Sequence, residues 1–61
     1  MKIQVKLYAK LAQMDENNNF KTVLFDNLEH AIEASEYYYN NYFYQIRVID
    51  STGAIYAEYE N

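Results

Sequence analysis

Apolar and polar positions alternate from the start of the chain: Ile3, Val5, Leu7 and Ala9 are separated by Lys2, Gln4, Lys6, Tyr8 and Lys10. A period of two predicts a strand with one buried and one wet face. Lysines on the wet side predict an edge position, where they discourage pairing with other chains. The segment MDENNN, positions 14–19, is polar and rich in turn formers, and it predicts a loop at the long, mobile tip of a hairpin. FKTVLF, positions 20–25, is β-branched and aromatic, and predicts the second strand.

The period then changes. Asp26-Asn27-Leu28-Glu29 has the form of a capping box, with Asp26 as the cap and Glu29 reaching back to it. Leu28, Ala31, Ile32, Ser35 and Tyr39 follow at helical spacing, opposite a stripe of Glu29, Glu33 and Glu36. A helix over 28–39 spans about 18 Å, enough to cross a small sheet. Asn40-Asn41 tolerates the left-handed conformation and predicts its end.

Positions 42–50 (YFYQIRVID) and 54–60 (AIYAEYE) predict two more strands, joined around Ser51-Thr52-Gly53. Gly53, the only glycine, suits the positive-φ position of the turn. A three-residue loop sets Asp50 opposite Ala54. A two- or four-residue loop sets Val48 opposite Ala57, Ile46 opposite Tyr59 and Arg47 opposite Glu58. The second register separates apolar from charged side chains and is preferred. The expected fold is therefore α+β, in the order β-β-α-β-β. A four-stranded, mainly antiparallel sheet carries one helix on one face, in a single small domain over 1–61.

Composition narrows the function. Nine acidic and five basic side chains give a net charge of −4, which disfavours direct nucleic-acid binding and suits a basic partner. There is no cysteine, so neither a disulfide nor a thiolate metal site staples a core this small. A partner, including a second copy of the chain, is the remaining ordinary staple. MKIQVKLYAK contains no continuous apolar run, which predicts neither a signal peptide nor a membrane span, and a cytoplasmic location is expected.

Chemistry-bearing constellations are sparse. His30, the only histidine, shares helical spacing with Asp26 and Glu33, but two carboxylates and an imidazole are ordinary helix-surface charges. Asp15, Asn17, Asn19 and Asp26 match positions 1, 3, 5 and 12 of a calcium loop. Phe20 stands where that loop needs glycine, and Asp26 replaces its bidentate glutamate. A single glycine excludes every glycine-rich phosphate motif, and neither Ser35 nor Ser51 has a histidine within evident reach. No catalytic, cofactor or metal site is expected, and the chain is not read as an enzyme. The stripe Glu29, Glu33 and Glu36 is either a solvated face or a mimic of phosphates offered to a basic protein.

The strongest feature is YYYNNYFY, positions 37–44, in which six of eight residues are aromatic. Successive helical residues turn by about 100°, so three consecutive tyrosines cannot all face one sheet. Tyr39 and Tyr44 fit the core. Tyr37 and Tyr38 are predicted on the surface, with Tyr8, Phe43 and Tyr56 on the back of the sheet. Together these five are the expected partner or dimer interface.

FDNLEHAIEAS followed by IRVIDSTGAIYAEYE resembles small bacterial and phage proteins in which a capped helix precedes a hairpin of the form R-V-x-D-x-x-G. The short, cysteine-free, Asn- and Tyr-rich chain resembles accessory proteins of phages and mobile elements. The resemblance implies a non-enzymatic homodimer that binds and inhibits a larger host protein, such as a defence factor. Two alternatives are a nucleic-acid-binding module using an aromatic sheet face, and a dimer that binds a small molecule between its tyrosines.

Overall fold

Alternation along the first strand has the predicted result. Ile3, Val5 and Leu7 are buried on one face of β1 (Ile3–Tyr8), and the residues between them lie on the other. In the computed structural model, which describes residues 2–60, the chain continues through α1 (Leu11–Asp15), β2 (Lys21–Phe25) and α2 (Leu28–Tyr42). It ends with β3 (Gln45–Asp50) and β4 (Ile55–Tyr59). Residues 1 and 61 of the predicted domain lie outside the described residues. The strands form one antiparallel sheet in the order β2-β1-β3-β4, with α2 packed across one face.

This order corrects the edge position expected of β1, which pairs with β2 on one side and β3 on the other. Lysine at alternate positions marks the wet face of a strand, and a long lysine stem lies along such a face with its charged head toward water. The same pattern therefore fits an inner strand.

The β3–β4 hairpin combines both registers. A three-residue loop, Ser51-Thr52-Gly53, lets the Asp50 amide donate to the Ala54 carbonyl at 3.1 Å. A bulge after Ile55, opposite the Val48–Ile49 step, then shifts the ladder by one residue. Beyond it Val48 faces Ala57, Arg47 faces Glu58 and Ile46 faces Tyr59, as segregation of apolar and charged residues requires. Gly53 holds the positive-φ turn position, at 88°.

α2 departs from expectation at both ends. Asn27, not Asp26, is its cap, and the Asn27 side chain accepts from the His30 amide at 3.2 Å. Asp26 instead accepts from the Lys2 ammonium, a pairing across 24 positions that no local pattern reveals. At the other end α2 runs through Asn40, Asn41 and Tyr42, and Phe43 closes it in the left-handed conformation (φ 59°, ψ 29°). The Phe43 amide donates to the Tyr39 carbonyl, and the Asn41 side chain donates to the Tyr37 carbonyl from within the helix. The third strand accordingly starts at Gln45, after 42–44.

The predicted 14–19 loop begins inside a short helix, α1, built from the good helix formers Leu11, Ala12, Gln13 and Met14. Asn17, at φ 56°, turns the chain out of it. α1 folds back under the sheet and buries Met14 and Tyr8, each 1 % exposed, together with Gln45. The sheet thus has cores on both faces. The larger one, under α2, joins Ile3, Val5, Leu7, Ala31, Ile46 and Val48. Ser35 enters it because its hydroxyl donates to the Ala31 carbonyl at 2.7 Å, which satisfies the buried oxygen.

Candidate protein-binding surface

At the C-terminal end of α2 the aromatic side chains form a continuous ribbon. Phe20 meets Tyr44 edge to face at 4.9 Å between ring centres, and Tyr44 stacks on Tyr42 at 5.5 Å and 13°. Tyr42 in turn touches Tyr37 and Tyr38 at 6.0 and 6.2 Å, and those two touch one another. Each element brings its ring for a local reason. The Phe20 amide donates to the Leu7 carbonyl, which fixes the entry into β2 beside the start of β3. The left-handed turn at Phe43 folds Tyr44 back against Tyr42. Tyr37, Tyr38 and Tyr42 share the last turns of α2.

Tyr38 and Tyr44 also pack on the main core, so the ribbon is anchored from below. Phe20, Tyr37 and Tyr42 are 53, 55 and 51 % exposed, and Phe43 beside them is 68 % exposed. Ring contacts of this kind are worth about 0.5–1.5 kcal/mol each beyond area burial, which holds the rings in place before any partner arrives. A hydrogen bond with Tyr42 pushes the Tyr37 phenol above its ordinary value of 10.0.

The predicted interface residues separate. Tyr37 and Phe43 are on the surface, but Phe43 caps a helix and does not lie on the sheet back. Tyr38 is half-buried and packs on the core, because it follows the buried Ala31 and Ser35 at helical spacing. Tyr8 is fully buried: α1 covers the part of the sheet back predicted to be open. Its ring lies 5.7 Å from the Arg47 guanidinium, which also donates to Glu58 at 2.7 Å and to Asn17. Tyr56 is 42 % exposed, but its hydroxyl is engaged, donating to Asp50 at 2.7 Å. Phe20 and Tyr42 carry no surface signal in the sequence, since both fall in segments whose pattern predicts strand. Only the return of the chain after α1 and the late end of α2 expose them.

Glu29, Glu33 and Glu36 are exposed along α2, as expected of the acidic stripe. The calcium template is not assembled, since β2 separates Asn19 from Asp26 and Asp26 is paired with Lys2. Among the described residues no three potential ligands converge on a metal position, and no pocket opens. No helix among them is long and apolar enough to cross a membrane. Comparison with protein-family models, with curated proteins and with solved structures finds no match to this chain.

Proposed function

We propose that this chain is a non-enzymatic protein-binding module that docks through the aromatic end of α2. The observation that carries the reading is the ribbon itself. Five rings form a chain of contacts that Tyr38 and Tyr44 anchor on the core, while three of them keep about half their surface in water. Aromatic residues are enriched in the desolvated centres of protein interfaces, and rings already ordered lose little entropy on binding. No pocket opens among the described residues, so fixed rings here suit another protein better than a small molecule, which requires a concavity. The resemblance to mobile-element accessory proteins extends the proposal to a cytoplasmic chain that inhibits a larger host protein by occupying it.

The test is affinity capture from a bacterial lysate, with the wild-type chain and the Tyr37→Ser/Tyr42→Ser variant as parallel baits. A prey held by the first and lost by the second supports the reading; identical prey lists overturn it. A second reading, self-association, is favoured by the uncovered part of the sheet back. There Leu24 and Ile55, 58 and 55 % exposed, lie in one row with Gln4 and Ile49. Sedimentation of wild type and Leu24→Glu tests it, since a dimer through that row dissociates in the variant.

A further inference from the structure

The charges around the ribbon select among partners. α2 has no basic residue in its last turn, so its C-terminal end presents the negative pole of the helix dipole uncompensated. Glu36 directly precedes Tyr37, and Glu33 lies four residues before it on the same helix face. Both carboxylates are exposed. Aromatic faces carry partial negative charge and attract cations, so Tyr37 and Tyr42 add to the same field. Three of the chain's five cations lie away from this end. Lys2 is paired with Asp26, and Arg47 is held on the opposite sheet face by Glu58. Lys6 shares that face with Arg47, as their pairing across β1 and β3 requires. Lys21 directly follows Phe20, and Phe20 and Tyr37 stand at opposite ends of the chain of ring contacts.

Building on the protein-binding reading, we propose that the aromatic end of α2 receives an arginine-bearing segment of a partner protein. Guanidinium groups stack on Tyr37 and Tyr42 and reach Glu33 and Glu36. Arginine fits better than lysine because its planar, weakly hydrated head can lie on a ring while its N–H groups donate sideways to carboxylates. A second copy of the chain is a poorer occupant of this end. It brings the same acidic helix and the same charge of −4, and its one arginine is already engaged. Phosphate-bearing partners meet the same repulsion.

The probes are hexa-arginine amide and hexa-lysine amide, titrated into the full chain at low and high salt and followed by backbone and tyrosine-ring NMR shifts. Hexa-arginine is expected to bind several-fold more tightly than hexa-lysine, with the largest shifts at Tyr37, Tyr42, Glu33 and Glu36. Tyr37→Ser/Tyr42→Ser is expected to weaken it about tenfold, two exposed cation–π contacts having been removed. Tyr37→Phe/Tyr42→Phe keeps the ring faces and is expected to retain most of the binding, which separates recognition from damage to the fold. Glu33→Gln/Glu36→Gln is expected to flatten the salt dependence. Equal affinity for the two peptides, or binding unchanged by the Ser variant, reduces the effect to diffuse charge and overturns the proposal. So does tighter binding of single-stranded DNA at the same rings, or sedimentation showing that a second copy covers them. If lysate capture yields a Tyr37/Tyr42-dependent prey while hexa-arginine shows no preference, the binding-module reading stands and the cationic partner fails.

Discussion

Asp50 organises the β3–β4 turn with one carboxylate. Its Oδ1 accepts from the Thr52 amide at 2.8 Å, the Thr52 hydroxyl and the Ala54 amide at 3.2 Å, while Oδ2 accepts from the Tyr56 hydroxyl. Those bonds, from Thr52 first and then Tyr56, hold the Asp50 carboxyl below its ordinary 3.8, at about 2. Because the folded value lies below the unfolded one, the contribution is complete above about pH 4 and is lost as pH falls through about 2. Thermal melts across that window should show stability falling with acid in the wild type, and a flatter slope with a lower neutral-pH Tm in Asp50→Asn. The same bond pushes the Tyr56 phenol above its ordinary value. Arg47 is the other concentrated residue, since it joins Tyr8, Asn17 and Glu58 and so ties the turn after α1 to β1 and β4. Arg47→Met should cost about 1–3 kcal/mol in urea unfolding, the range for charged hydrogen bonds lost from a half-buried site.

At the scale of elements, α2 and α1 owe their ends to different devices. Phe43 occupies a left-handed position that glycine fills without steric cost. Phe43→Gly should therefore raise the urea midpoint, by up to about 1 kcal/mol in stability. It also removes exposed ring surface beside the ribbon, so a more stable variant that captures less prey is the expected combination. α1 is held by what it covers. Met14→Ala should cost about 2–5 kcal/mol, as a large-to-small change in a packed site. Hydrogen exchange should show the loss of protection first in α1 and the 16–20 segment, with α2 protected longer.

The whole molecule measures 28 × 23 × 16 Å along its principal axes. β1 and β3 are the inner strands, bonded on both sides, and they carry most of the main core. Native-state exchange should be slowest at the amides of Val5, Leu7, Ile46 and Val48, and faster along β2 and β4. A uniform exchange pattern would contradict this division. The charge distribution is asymmetric as well. α2 presents its acids on the outer surface, whereas Lys6 and Arg47 share the opposite sheet face. That separation gives a basic partner one preferred side from which to approach.

Much of the fold is legible in the sequence where local rules apply. Alternation assigns Ile3, Val5 and Leu7 to one face, Gly53 marks the turn, and segregation of Arg47 and Glu58 from Val48 and Ala57 sets the register beyond the bulge. These depend on neighbours along the chain or directly across a hairpin, so residue types suffice to decide them. The centrality of β1 does not follow from its pattern, because a period of two specifies faces and leaves lateral neighbours open. Nor does the burial of Tyr8, since the cover it receives comes from α1, a five-residue helix too short for periodicity to identify. The aromatic excess in 37–44 is plain in the sequence as composition. Which rings are anchors and which are surface was decided by the length of α2, the left-handed Phe43 and the arrival of Phe20 from a distant loop. Local chemistry determined the elements and their faces; long-range packing, in which each ring competes for a limited core, determined the site.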